Sequence, residues 1–98
     1  MEIIWKKRDY GLTHWVLDLT IKVEKKRYIG AICYNERAGR PFCTFDFNSL
    51  GINGKKIDFT RSEEEMKEEA LLFLKNKMET RIEEYTSICN EINGIYKQ

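Results

Sequence analysis

Histidine and proline occur once each in this chain, as His14 and Pro41, and cysteine three times, as Cys33, Cys43 and Cys89. No CxxC pair is present and His14 is remote from the thiols in sequence, so the four close nitrogen or sulfur ligands of a structural zinc site are not expected. No stretch approaches the roughly 18 apolar residues of a membrane span. The start of the chain is briefly apolar and then charged (MEIIWKKRDYG), the reverse of a secretory signal, so cytoplasmic residence is the default expectation. The net charge is only +1, so no global field steers a polyanion. Walker loop, GxGxxG, HExxH and nucleophile-elbow patterns are all lacking, and the reading is of a protein that is not an enzyme and carries no cofactor or metal.

What is present is an ordinary globular composition: 98 residues, 42% hydrophobic and 34% charged, enough for one domain with its own core. Charge is unevenly spread. Residues 1–61 hold twelve Lys/Arg against seven Asp/Glu, whereas residues 62–98 hold five against nine. A basic first half and an acidic second half often accompany an electrostatic partner.

Period-2 alternation over Leu12–Val23 predicts a half-buried strand, with Trp15, Leu17, Leu19, Ile21 and Val23 on one face. A polar turn at residues 24–27 leads into Tyr28–Asn35, and a Gly-Pro turn at residues 36–41 into Phe42–Asn48. Glu2–Lys7 predicts a shorter flanking strand. Asn53-Gly54 is a hairpin signal before a fifth run, Lys55–Phe59, whose lysines would protect an edge. Beyond Phe59, Thr60-Arg61-Ser62-Glu63 and Ser62-Glu63-Glu64-Glu65 both fit a capping box. Apolar residues then recur at steps of three and four from Met66 to Ile92, and Asn93-Gly94 reads as a C-cap. The expected architecture is therefore a single α+β domain: an antiparallel β-meander of four strands (three to five) over residues 1–60, a long amphipathic helix over 61–93, and a tail, 94–98. At 1.5 Å per residue the helix spans roughly 45 Å, against about 23 Å for a seven-residue strand. It must overhang the sheet, or bend or break near Thr86-Ser87.

Two groups of residues are candidates for contact. The first is basic and lies near the turns: Lys6, Lys7 and Arg8; Lys25, Lys26 and Arg27; Arg37 and Arg40. With Lys22, and with the aromatics Tyr28, Tyr34 and Phe42 expected on the sheet face away from the helix, these would suit base stacking and phosphate neutralisation. The second is the helix end, where Tyr85, Ile88, Ile92 and Tyr96 would meet a partner or a second copy. Val16, Ile32 and Phe42 are expected as the apolar part of the open face. His14, Asp18 and Asp46 form a candidate polar cluster there, more simply read as structural. The cysteines read as free, mostly buried thiols; a Cys33–Cys43 bridge would need both on one face. The glutamates of residues 63–69 spread around a helix and read as a solvated, dipole-compensating surface.

A three-stranded sheet backed by one helix is similar in plan to some DNA-reading sheet domains, such as the arm-binding domains of phage-type integrases, a likeness of architecture only. The run from Trp15 through Tyr28-Ile29-Gly30-Ala31, a Phe-rich third strand and Ser62-Glu63-Glu64-Glu65 into Ala70 resembles small phage or mobile-element accessory proteins, over about residues 12–72. The resemblance implies a small binder acting on a host nucleoprotein or defence complex. Two expectations stand together: a non-enzymatic accessory or inhibitor module with a protein or nucleoprotein partner, and a sheet-based DNA- or RNA-binding protein. No membrane partner is expected, and a homodimer through the helix overhang is an option.

Overall fold

A computed structural model describes residues 1–95. Five strands form one antiparallel sheet in sequential order: β1 (Glu2–Asp9), β2 (His14–Val23), β3 (Lys26–Arg37), β4 (Arg40–Phe47) and β5 (Ile52–Lys56). One helix, α1 (Glu63–Ile95), follows. This is the α+β meander-plus-helix read from the alternation. Tight turns set the register. Ala38 and Gly39 both have positive φ (52° and 72°), the two left-handed residues that let a two-residue loop follow the strand twist.

Cross-strand partners share a face, and this fixes which side each residue occupies. Trp15, Leu17, Leu19 and Ile21 of β2 pair with Tyr34, Ile32, Gly30 and Tyr28 of β3. Cys43, Phe45 and Phe47 continue the same face on β4. Met66, Ala70 and Leu74 of α1 close over it, with Ile52 and Ile57 at the side. Phe45, Leu19 and Ile32 are fully buried at its centre. The helix starts with the second of the two capping boxes. Ser62 Oγ accepts from the Glu65 amide at 3.2 Å, and Glu65 Oε1 accepts from the Ser62 amide at 3.4 Å. Thr60 is taken instead by Asp58, and Glu63 by Lys7.

Several expectations need correction. Asn53-Gly54 is not a hairpin loop: the β4–β5 connection is a 3-10 turn at Asn48–Leu50. Gly54, at φ 73°, lies within β5 near an irregularity of the β4–β5 pairing, and its amide donates to Asp46. The helix neither breaks at Thr86-Ser87 nor caps at Asn93-Gly94; both dipeptides lie inside it. A Cys33–Cys43 bridge is excluded by register, because Cys33 opposes Thr44 while Cys43 opposes Tyr34, which places the thiols on opposite faces. Cys43 is buried, Cys33 half-buried and Cys89 exposed.

The overhang is real. No residue of α1 beyond Leu74 is buried, and the chain measures 62 × 29 × 18 Å. Arg81 makes the outermost hydrogen bond from helix to sheet side, donating to the Leu50 carbonyl at 3.0 Å. No helix of the described residues is long and apolar enough to cross a membrane.

Candidate binding face and helix overhang

The sheet face away from α1 carries the even-numbered residues of β1 and β2 and the residues opposite them. The pairings Thr20↔Ile29, Val16↔Cys33 and Asn35↔Phe42 show the rule. Tyr28, Tyr34 and Ile32 are therefore not on this face, contrary to the expectation. Tyr28 opposes Ile21, and Tyr34 stacks on Trp15 at 5.3 Å on the helix side. The reason is geometric. A strand's own alternation separates its two faces but does not say which is inward; the hairpin register does. Val16 is on the open face yet is only 5% exposed. Phe42 is open and 47% exposed, and Ile29, which alternation alone had not singled out, is 65% exposed.

The basic candidates divide the same way. Lys7 points to the helix, pairing with Glu63 and lying over the Trp15 ring. Lys26 opposes Val23 and belongs to that side too, and Lys25 is in the turn. On the open face are Lys6 and Arg8 from β1, Lys22 from β2, and Arg27 and Arg37 from β3. Arg40 from β4 and Lys56 from β5 complete the set. The strand carboxylates facing them are Glu2, Asp18 and Asp46, which leaves a net charge of +4.

Two of those carboxylates are occupied. Arg8 grips Asp18 through Nε and Nη2, which holds its guanidinium protonated well beyond the ordinary range. Asp46 accepts the Gly54 amide at 2.6 Å. His14 stacks on Tyr10 at 4.8 Å, and Tyr10 in turn accepts from Arg8. The polar cluster around His14, Asp18 and Asp46 thus ties strands together. A shallow recess of about 160 Å³ separates the two aspartates over Ala31.

The cations near the ends of the open face are arranged differently. Lys22 stands directly opposite Arg27, and Arg37 directly opposite Arg40. None of these four forms an ion pair among the described residues, although Glu2 of β1 stands opposite Lys22 on its other side. Like charges placed directly across a ladder destabilise it. Each pair also adjoins an exposed apolar side chain two residues along the same face: Ile29 beside Arg27, and Phe42 beside Arg40. Ten residues of β3 separate Arg27 from Arg37, or roughly 33 Å.

The helix end forms the second surface. Tyr85, Ile88 and Ile92 are all exposed; Tyr96 lies outside the described residues. Where the overhang leaves the sheet, a cleft of about 780 Å³ opens between Leu71, Leu74 and Met78 of α1 and Met1, Ile3 and Val23 at the sheet end.

The fold and these surfaces define a class: a small α+β module with a basic open sheet face and a projecting helix. No protein-family model matches this chain, and no curated protein and no solved structure matches it either.

Proposed function

We propose that the protein is a non-enzymatic binding module whose open sheet face docks on an extended anionic surface of a protein or nucleoprotein. The observation that carries this is the Arg37/Arg40 ladder beside the exposed Phe42, with the Lys22/Arg27 ladder beside Ile29, only partly offset by Glu2 opposite Lys22. Repulsion within each pair works against the fold and is relieved when carboxylates or phosphates of a partner lie over it. Arg with an adjacent aromatic is also a common energetic centre of protein interfaces. The resemblance to phage and mobile-element accessory proteins supports the same reading, with a host nucleoprotein or defence complex as the target.

Naked nucleic acid is the second reading, favoured by the net positive face. Against it, the helix-side position of Tyr28 and Tyr34 leaves Phe42 as the one nominated aromatic able to stack a base there. Titration with duplex DNA and single-stranded RNA at low and moderate salt separates the two. Weak association that vanishes at moderate salt is expected. Tight binding at moderate salt, with a steep salt slope that flattens in Arg37→Ala/Arg40→Ala, would establish the nucleic-acid reading instead. For the protein partner, the comparison is between proteins retained by the wild type and by Arg37→Glu/Phe42→Ala. A partner that both retain equally does not use this face.

A further inference from the structure

The overhang has a sequence pattern that the sheet-contacting half does not need. Met78, Ile82, Tyr85, Cys89 and Ile92 follow one another at steps of four, three, four and three. That 3.5-residue period is the seam of two helices wound on each other, not the broader face of a helix lying on a sheet. Ile82, Tyr85 and Ile92 are 64, 57 and 49% exposed. Glu83, Glu84 and Glu91 lie on the far side of the helix from this seam. The overhang also contains Thr80, Thr86, Ser87, Asn90, Asn93 and Gly94, all poor helix formers. A helix of this composition needs tertiary packing to persist, and beyond Arg81 no side chain of it is even partly buried on its own sheet.

We infer that a second copy of this chain packs on the overhang as an antiparallel, two-fold symmetric helix pair, with the partner's last helical turn at the edge of the cleft at the sheet end. This is independent of what the open sheet face binds. Orientation follows from the seam itself. At about 100° per residue it is centred roughly 80° round the helix from Met66, Ala70 and Leu74, so a partner lies beside the sheet, and in parallel register the bulky Tyr85 would meet the partner's Tyr85. An antiparallel partner avoids that clash and meets only the overhang, the partner's Ile95 arriving beside Glu79 at the edge of the cleft.

The register is self-complementary. Setting Ile82 against the partner's Ile92 also sets the bulky Tyr85 against the small side chain of the partner's Cys89. The flanking positions then pair Glu79 with the partner's Asn93, Arg81 with the partner's Ile95, Thr86 with the partner's Thr86, and Ile88 with the partner's Ile88. No like charges meet. One copy thus supplies everything the other's seam requires, which is the mark of an isologous interface.

The test is disulfide mapping on the full chain, in a Cys89→Ser background so that Cys89 does not compete. Ile82→Cys with Ile92→Cys is expected to give a covalent dimer under non-reducing conditions. Either single variant is not, because like positions lie roughly 15 Å apart along the axis in the antiparallel arrangement. Cross-linking of a single variant to itself would overturn the orientation. Light scattering on the unmodified protein at micromolar concentration is expected to give twice the chain mass. Ile88→Glu, which sets two carboxylates together at the two-fold axis, is expected to weaken the dimer at least about tenfold. Its tryptophan emission is expected to be unchanged, since Trp5 and Trp15 lie under the sheet-contacting half. A wild-type mass of one chain at every concentration would overturn the proposal outright.

Discussion

Gly30 sets how closely β3 and β4 approach their covering side chains. A Cβ at this position would lie 2.7 Å from the Asp46 carbonyl oxygen and 2.7 Å from the Phe47 ring. The first is backbone in the sheet's own ladder and cannot swing aside. Gly30→Ala is therefore expected to cost about 1–3 kcal/mol, the range for overpacking a filled core, read as a lowered urea midpoint with unchanged slope. Cys43 gives a pH-dependent counterpart. Burial, with the neighbouring Cys33 thiol and the Glu69 carboxylate, pushes its thiol up to about 12, whereas a thiol in an unfolded chain titrates near about 8.5. The folded state holds this proton more tightly, so its stabilising effect is complete below about pH 8.5 and is lost as the pH rises toward 12. Unfolding curves between pH 7 and 10.5 should show that decline, and Cys43→Val should flatten it. Residues were also where sequence and structure parted most. The inward set on β2 was legible because Leu17, Leu19 and Ile21 alternate with the polar Asp18, Thr20 and Lys22. On β3 both faces are apolar or aromatic, with Ile29, Ala31 and Cys33 against Tyr28, Ile32 and Tyr34, so alternation alone could not rank them. Only the register with β2 decides.

At the scale of elements, the strands and the helix start carry local chemistry that specifies them. Two overlapping capping boxes compete in the sequence, and side chains outside both decide between them: Lys7, far away in the chain, reaches Glu63, and Asp58, two residues earlier, takes Thr60. Ser62→Ala is expected to cost about 1 kcal/mol, or roughly 4–8 °C in a domain of this size, and thermal melts would show it. The same melts on Glu63→Gln should move far less, because the Lys7–Glu63 pair is partly solvated. The far end of α1 was misread for the complementary reason. Asn93-Gly94 has the composition of a C-cap, but a helix ends where its neighbours stop supporting it, and no single chain shows what stands beside the overhang. Its length against the strands was legible; its continuity was not.

For the whole molecule, the uneven charge becomes a division of labour. The open face carries a net charge of +4, and most overhang carboxylates lie on the side of α1 away from its apolar seam. The two proposed contact surfaces point in different directions, so a pair of chains joined through their overhangs would keep both sheet faces open and hold them far apart. Size in solution reports this directly. The described residues are 62 Å long, and in the register above an antiparallel pair overlaps only along the seventeen residues from Glu79 to Ile95, roughly 26 Å of helix. The maximum dimension from small-angle scattering should therefore be about 100 Å, in an elongated particle with two lobes. A parallel pair, or a chain whose helix end folds back on its own sheet, would remain near the length of one chain or below it. The Ile88→Glu variant supplies the internal control: its scattering should revert to the single-chain length while the tryptophans on the helix side of the sheet report an intact core. A long particle that keeps its length in that variant would place the contact elsewhere, whatever its mass.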